Sequence, residues 1–463
     1  MGHFPTKFVA FPKSGGISQD RASIDLNLFD QKSIYPTNPV GLIICTVQFC
    51  LIPEYSMKSI FLLHIGLLLA TFSSSLNPKT PDLQGKWRAS LNISPDEIPF
   101  GMGLFQEAGK WRLEVYNAEE VLVFDEVEQS GDSLKVTMGI FDSEIHARIL
   151  GPDQLEGAFI KNTASNYVVP FSAKKGDFER FPTKTTPSAE FSGRWKTAFK
   201  KTNGEIYEAV GIFSQKGNRI TGTFLTHLGD YRYLEGNVEG NSFKMSAFDG
   251  SHLFYFGGEL NESGEINGLF RSGPRGKETF TAVRDEKFEL PDAYSFNYLK
   301  DGYERLTFSF PDLNGTPVSL DDPKFQGKVV LVQLFGTWCP NCMDETKFLA
   351  PWYDRHKNKG IEIIALAFEA KPDFTYASER VKKTVDKLGA NYTFLIAGVS
   401  NKEKASESLP ALNQVIAFPT LIYIDKKGKV RKIHTGFTGP GTGDYYDRWI
   451  EEHEALVKKL LEE

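Results

Sequence analysis

The sequence predicts a multidomain fold: two all-β repeat units, barrel- or sandwich-like, followed by an α/β domain. Three observations carry this expectation. Residues 80–180 break into short runs of period two, such as Trp111–Tyr116 and Leu134–Met138, punctuated by turn residues. The pattern then restarts: Leu83-Gln84-Gly85-Lys86-Trp87-Arg88 is matched 108 residues later by Phe191-Ser192-Gly193-Arg194-Trp195-Lys196. From Leu306 onward, continuous apolar runs alternate with segments of helical period, the grammar of strands joined by helices.

Composition narrows the class. The 463 residues carry a net charge of −6, 24% charged and 13% aromatic residues, as in a globular protein. No basic block is present, which argues against a nucleic-acid partner. No run of about 20 apolar residues exists, which argues against an integral membrane bundle. The front of the chain reads differently. Met57-Lys58-Ser59 is followed by the apolar run 60–70 and by Thr71 and Ser73-Ser74-Ser75, the layout of a secretory signal. Residues 57–75 are therefore expected to be a signal peptide and residues 1–56 an upstream leader foreign to the native product. The expected location is the periplasm or cell envelope.

The repeat units are expected at 80–180 and 190–285. Phe141-Asp142 finds Phe248-Asp249 at an offset of 107, and Leu155-Glu156-Gly157 finds Ile266-Asn267-Gly268 at 111. So steady an offset implies two copies of one unit of about 95 residues, each a meander of seven or eight strands curling into a barrel or sandwich. Each unit serves either as a ligand cavity or docking surface, or as a spacer or dimerisation unit. Pro182–Ala189 reads as a linker between them, and 286–305 as a linker to the last domain.

In the domain 306–463, Val329–Phe335 reads as a buried strand, broken by Gly336-Thr337. A helix follows over about 340–357, then a strand at Ile361–Phe368, a charged helix at 375–388, a hairpin Thr420–Asp425 with Lys429–His434 across Lys426-Lys427-Gly428, and a C-terminal helix at 444–461. Gly439-Pro440-Gly441-Thr442-Gly443 lacks the lysine and the strand-to-helix spacing of a phosphate loop, and reads as a turn into that helix.

The chemistry centres on Trp338-Cys339-Pro340-Asn341-Cys342. The chain has four cysteines, and without 1–56 only Cys339 and Cys342 remain. Such a pair at a helix start is a reactive dithiol, because unpaired N–H groups and the helix dipole favour thiolate there. Cys339 is expected to be the exposed attacking thiol, and Cys342, one turn inside, to resolve the mixed disulfide. Zinc needs four ligands, and no second pair is offered, so no metal or organic cofactor is expected. Glu345 lies three residues past Cys342 on the same helical face and is positioned to shuttle its proton. Asp344 faces about 100° away and reads as an exposed acid of the first turn. Phe418-Pro419 opens the strand at Thr420, where a cis proline would present backbone to a substrate. Trp338 adds a rigid apolar face beside Cys339.

On Phe335–Cys342, Glu345 and Phe418-Pro419-Thr420, residues 306–463 resemble the thioredoxin superfamily, in its exported TlpA/ResA-like branch. The resemblance implies a disulfide reductase with Cys339 as nucleophile, Cys342 as resolving thiol, Glu345 as buried acid and Pro419 as cis proline. It implies a disulfide-containing protein substrate and an upstream thiol donor. It places the branch's insertion within 369–411, here polar and charged. Two positions depart from the pattern: Gln333 stands where thioredoxins often carry a strand acid, and Lys347 where the helix proline is usual, with Pro351 four residues further on. The Gly-x-Trp openings of the β units resemble the first strand of lipocalin-like barrels. Two other functions stay open. A peroxidase of the same fold would need a Pro-x-x-x-Thr-x-x-Cys setting, absent from the sequence. A binding protein would place its main function in the β repeats.

Overall fold

The computed structural model describes residues 81–463; the stretches expected to be a leader and a signal peptide, with Cys45 and Cys50, lie outside the described residues. Two β barrels precede an α/β domain, as the sequence predicts. The first barrel is an antiparallel meander of β1 (Gly85–Asn92), β2 (Glu97–Glu107), β3 (Lys110–Asn117), β4 (Glu120–Ser130), β5 (Ser133–Met138), β6 (Ser143–Ile149), β7 (Gln154–Lys161) and β8 (Val168–Lys175), closed by pairing of β1 with β8. Closure leaves no free sheet edge. Alternation supplies the interior: in β5, Leu134, Val136 and Met138 point inward while Ser133 and Lys135 do not.

The second barrel comprises β9 (Gly193–Lys200), β10 (Ile206–Lys216), β11 (Arg219–Thr226), β12 (Gly229–Asp230), β13 (Leu234–Glu239), β14 (Ser242–Phe248), β15 (Leu253–Leu260), β16 (Glu265–Ser272) and β17 (Gly276–Arg284). Eight of these close through β10–β11, with β12 a short spur on β11. The recurrent motif has one structural meaning in both copies. Trp87 and Trp195 are 2% exposed, and their indole N–H groups donate to the carbonyls of Leu83 and Phe191 at 2.9 and 2.8 Å. The indole thus plugs one barrel end while its polar atom is satisfied by the preceding turn. Phe199, Phe213, Phe224, Phe243, Phe256, Phe270 and Phe280 fill the second interior.

The last domain begins with a small hairpin, β18 (Ser309–Pro311) with β19 (Pro317–Ser319). Its sheet comprises β20 (Val329–Phe335), β21 (Ile361–Glu369), β22 (Thr393–Val399), β23 (Thr420–Ile424) and β24 (Val430–Thr435), in the order β22-β21-β20-β23-β24. β20, β21 and β22 run parallel, while β23 and β24 are antiparallel. Helices α1 (Pro340–His356), α2 (Phe374–Leu388), α3 (Lys402–Ser408) and α4 (Asp444–Glu462) accompany it. None of the described helices is long and apolar enough to cross a membrane. β22 and α3 fall in the stretch that reads as a polar insertion; the apolar run Thr393–Val399 is short and interrupted by Gly398, so it carried little signal. Residues before 306 also pack on this domain: Asn297 is buried, and its side chain bonds Asn413, Gln414 and Thr435.

All three units meet. Phe248, at the end of β14, leaves its own barrel and packs on Phe100 and Phe159 of the first, at ring separations of 4.6 and 5.1 Å. On α2, Tyr376 donates to Asp142 at 2.8 Å and Lys383 pairs with Glu126 at 2.7 Å, so its polar face lies on the first barrel. At the centre is Arg232, 3% exposed and in the left-handed backbone region at φ +59°. Its guanidinium binds Glu120 of the first barrel and Asp344 of α1, and lies 3.6 Å from Asp249 of its own barrel. The expectation of an exposed Asp344 is therefore corrected: its side chain is 10% exposed and belongs to this three-domain cluster. Burial pushes the Glu120 carboxyl up from its ordinary value, and the Arg232 charge opposes that push.

Removing the cation leaves buried carboxylates facing one another. Arg232→Met is expected to cost about 3–5 kcal/mol of unfolding free energy. Adding Asp344→Asn on that background should cost far less than it does in the parent. A double-mutant cycle by denaturant unfolding checks the coupling.

Candidate functional site

Cys339 is the N-cap residue of α1, with Pro340 at the first helical position. The proline lacks the N–H that a first turn would leave unpaired, and its fixed φ suits the helix start. The Cys342 N–H donates to Cys339 Sγ at 3.3 Å, and the Cys339 thiol donates to the Phe418 carbonyl at 3.5 Å. Both cysteines are free thiols. Cys342 is fully buried, and burial, then the hydrogen bond and charge of Cys339, push its thiol well up from its ordinary value. Cys339 is 6% exposed rather than the exposed thiol the sequence suggests. The reason is packing that sequence spacing cannot reveal: Phe418 crosses it on one side and the second barrel stands over it on the other.

Glu345 is fully buried beneath the cysteines. Its Oε2 accepts from Gln333 Nε2 at 2.8 Å, and its Oε1 has no partner among the described residues. Burial raises the carboxyl to about 8, with the Gln333 bond opposing. Glu345 in turn adds to the upward push on Cys342. Gln333, in the strand position noted above, thus fixes the helix acid, and Tyr392 donates to Gln333 Oε1 at 3.3 Å from behind.

The Phe418–Pro419 peptide is cis. Trp338 meets the Phe418 ring edge-on at 5.6 Å, and its indole N–H donates to the Phe368 carbonyl at 2.8 Å. Trp338, Cys339, Cys342, Glu345, Phe418 and Pro419 are therefore brought to one end of the sheet, at the C-terminal ends of the parallel strands β20 and β21.

Residues outside that set hold the motif in place. Glu369, buried at the end of β21, accepts from the Thr337 backbone N–H at 2.8 Å and from its hydroxyl at 2.7 Å. A lone acid closing the apolar run Ile361–Phe368 was the available signal. The second barrel contributes the rest. Ser251 Oγ donates to the Trp338 carbonyl at 3.1 Å, and Lys161 of the first barrel donates to that same Ser251 Oγ at 3.1 Å. Asn341 Nδ2 donates to the Asp230 carbonyl at 3.0 Å. Gly229 permits this approach, since a Cβ there would sit 2.8 Å from Asn341 Nδ2. Asp230 is buried and accepts from Gly439 N–H; burial raises its carboxyl to about 6, with these bonds and Arg232 opposing. The glycine-rich turn before α4 is thus a docking point for the barrel.

A reduced Cys-Pro-Asn-Cys at the start of a helix, a buried acid behind it and a cis proline across from it define a thioredoxin-like thiol–disulfide oxidoreductase domain. The comparisons agree. The family model described as Redoxin matches residues 300–447. The chain is 34% identical over 148 residues to the thiol-disulfide oxidoreductase ResA of Bacillus thuringiensis subsp. konkukian (strain 97-27), covering 32% of this chain and 70% of that protein. It is 28% identical over 157 residues to ResA of Halalkalibacterium halodurans, covering 34% and 77%. A solved thioredoxin family thiol:disulfide interchange protein from Chlorobium tepidum TLS is 20% identical and covers 35% of this chain and 99% of that chain, with a TM-score of 0.26. The chain belongs to the ResA-like family of thiol–disulfide oxidoreductases. The two barrels precede the Redoxin match.

The raised Glu345 carboxyl has a sign. An acid whose folded value, about 8, lies above its ordinary 4.5 binds more protons folded than unfolded between those limits. The contribution of Glu345 to stability is therefore fullest below about 4.5 and falls by up to roughly 1.4 kcal/mol per pH unit as pH rises toward 8. Glu345→Gln should lose that slope. Denaturant midpoints of both proteins across this range, with Cys342 alkylation at each pH, check it.

Proposed function

We propose that Cys339 and Cys342 form the redox relay of an exported disulfide reductase. The observation that carries this reading is the asymmetry of the pair. Cys339 Sγ sits at the start of α1, where it accepts the Cys342 N–H and borders an open cleft. Cys342 is sealed behind it, with its thiol pushed up by burial. The thiolate form of Cys339 is the attacking species. That thiolate attacks one sulfur of a substrate disulfide, forming a mixed disulfide and expelling a thiolate. Cys342 then gives up its proton and attacks Cys339 Sγ, closing the intramolecular disulfide and releasing the second product thiol. Two electrons pass to substrate, and an upstream thiol donor restores the dithiol.

Glu345 is the proton carrier for the second step. With its carboxyl near 8, it exchanges a proton with a buried thiol at neutral pH. Trp338, Phe418 and Pro419 form the platform against which substrate lies. Export is supported by the signal-like segment 57–75 and by the pairing of function with the only two described cysteines.

Cys339→Ser should abolish reduction of a disulfide substrate. Cys342→Ser should retain the first attack and accumulate a Cys339 mixed disulfide, read by intact mass. Accumulation on Cys342 in a Cys339→Ser protein, with no adduct in the reverse variant, would invert the assignment.

A further inference from the structure

Cys339 lines a cleft of about 370 Å³ between the α/β domain and the mouth of the second barrel. The floor is Trp338, Cys339 and Phe418; the facing wall is Tyr207, Tyr231 and Phe254, with Leu228 at the rim. That size is at the low end for small-ligand sites and holds the volume of about a dozen waters. The wall is polar at defined points. Tyr207 donates to Glu278 at 2.7 Å and meets the Tyr231 hydroxyl at 3.0 Å, so a carboxylate and two hydroxyls face the space. His227 and Lys201 stand at another edge, the lysine paired with Glu205 at 2.7 Å.

The second barrel narrows the approach to the thiol. Cys339 is 6% and Phe418 8% exposed, so little of either is open to a broad partner. Lifting the wall away would break the Arg232 cluster, the Ser251–Trp338 bond and both Asp230 contacts together.

Resting on the reading of Cys339 as the attacking thiol, we propose that the second barrel makes this cleft a binding site for small amino-acid-derived disulfides, of cystine to short-peptide size. The aromatic wall takes the carbon–sulfur arms, and Glu278 takes an ammonium group. Cys339 forms a bond to one substrate sulfur and expels the other half as a thiolate. Cys342 then displaces the first half, so one disulfide yields two thiols and the protein gains one disulfide. A dithiol reductant returns the two electrons.

The test uses the full exported chain, reduced with dithiothreitol and desalted, in single-turnover reactions with cystine, oxidised glutathione, bis(2-hydroxyethyl) disulfide and insulin. Each rate is divided by that of free dithiothreitol with the same compound. Cystine or oxidised glutathione should exceed insulin by at least about 100-fold. Leu228→Trp, which fills the rim, should slow the two small substrates at least about tenfold without moving the Cys339–Cys342 potential. Glu278→Gln should slow cystine several-fold more than it slows the uncharged disulfide. Insulin reduced as fast as cystine, or a Leu228→Trp protein as fast as its parent, overturns the proposal while the relay stands. Glu278→Gln acting equally on both overturns the ammonium contact. Failure to reduce any of the four overturns the relay as well.

Discussion

The architecture depends on one buried cation. Arg232 brings together carboxylates from three separately folded units: Glu120, Asp249 and Asp344. No pair within this set would be stable alone, because a buried charge pays for desolvation that a single partner seldom returns. Lys347 on Asp344 and His252 on Asp249 spread the balance outward, at 3.0 and 3.1 Å. The left-handed backbone at Arg232 is part of the same arrangement. It turns the chain after β12 so that Asp230 points at the turn before α4 while the next side chain but one reaches α1.

This arrangement brings both barrels to the candidate site. The CxxC loop is held from its own domain by Glu369 and from outside it by Ser251 and Asp230. Lys161 braces Ser251 from the first barrel, so a three-residue chain runs from one barrel through the other to the carbonyl beside Cys339. Such bracing fixes the thiol relative to the cis proline without adding any group that reacts. The apolar counterpart is a single hydrophobic cluster that runs from the first barrel, through Phe248, Leu253 and Tyr255, into the last domain.

What the sequence made legible had local signals. The two barrels announce themselves through Gly-x-Trp at a fixed offset, because the same indole plugs the same end in each copy. The cysteine pair and Glu345 stand in spacings whose chemistry is short-range, and Pro419 has a local signal as the proline that opens a strand. What stayed hidden was long-range. Arg232 carries no local signal; its partners Glu120 and Asp344 each lie 112 residues away along the chain. Ser251 is 87 residues from Trp338. The burial of Cys339 and of Asp344 followed from those distant contacts, and no periodicity encodes them. β22 was missed for a different reason, a run too short and too interrupted by small residues to stand out from its charged surroundings.

The hydrogen bonds from the second barrel to Trp338 and Asn341 have a thermodynamic corollary. Both residues lie inside the loop whose cysteines open and close. Any difference in how firmly Ser251 and Asp230 grip the open and closed forms enters the dithiol–disulfide equilibrium in full, and by reciprocity the oxidation state feeds back equally on how firmly the barrel is seated. Through any such difference, the seating of the barrel and the electron affinity of the cysteine pair are linked quantities.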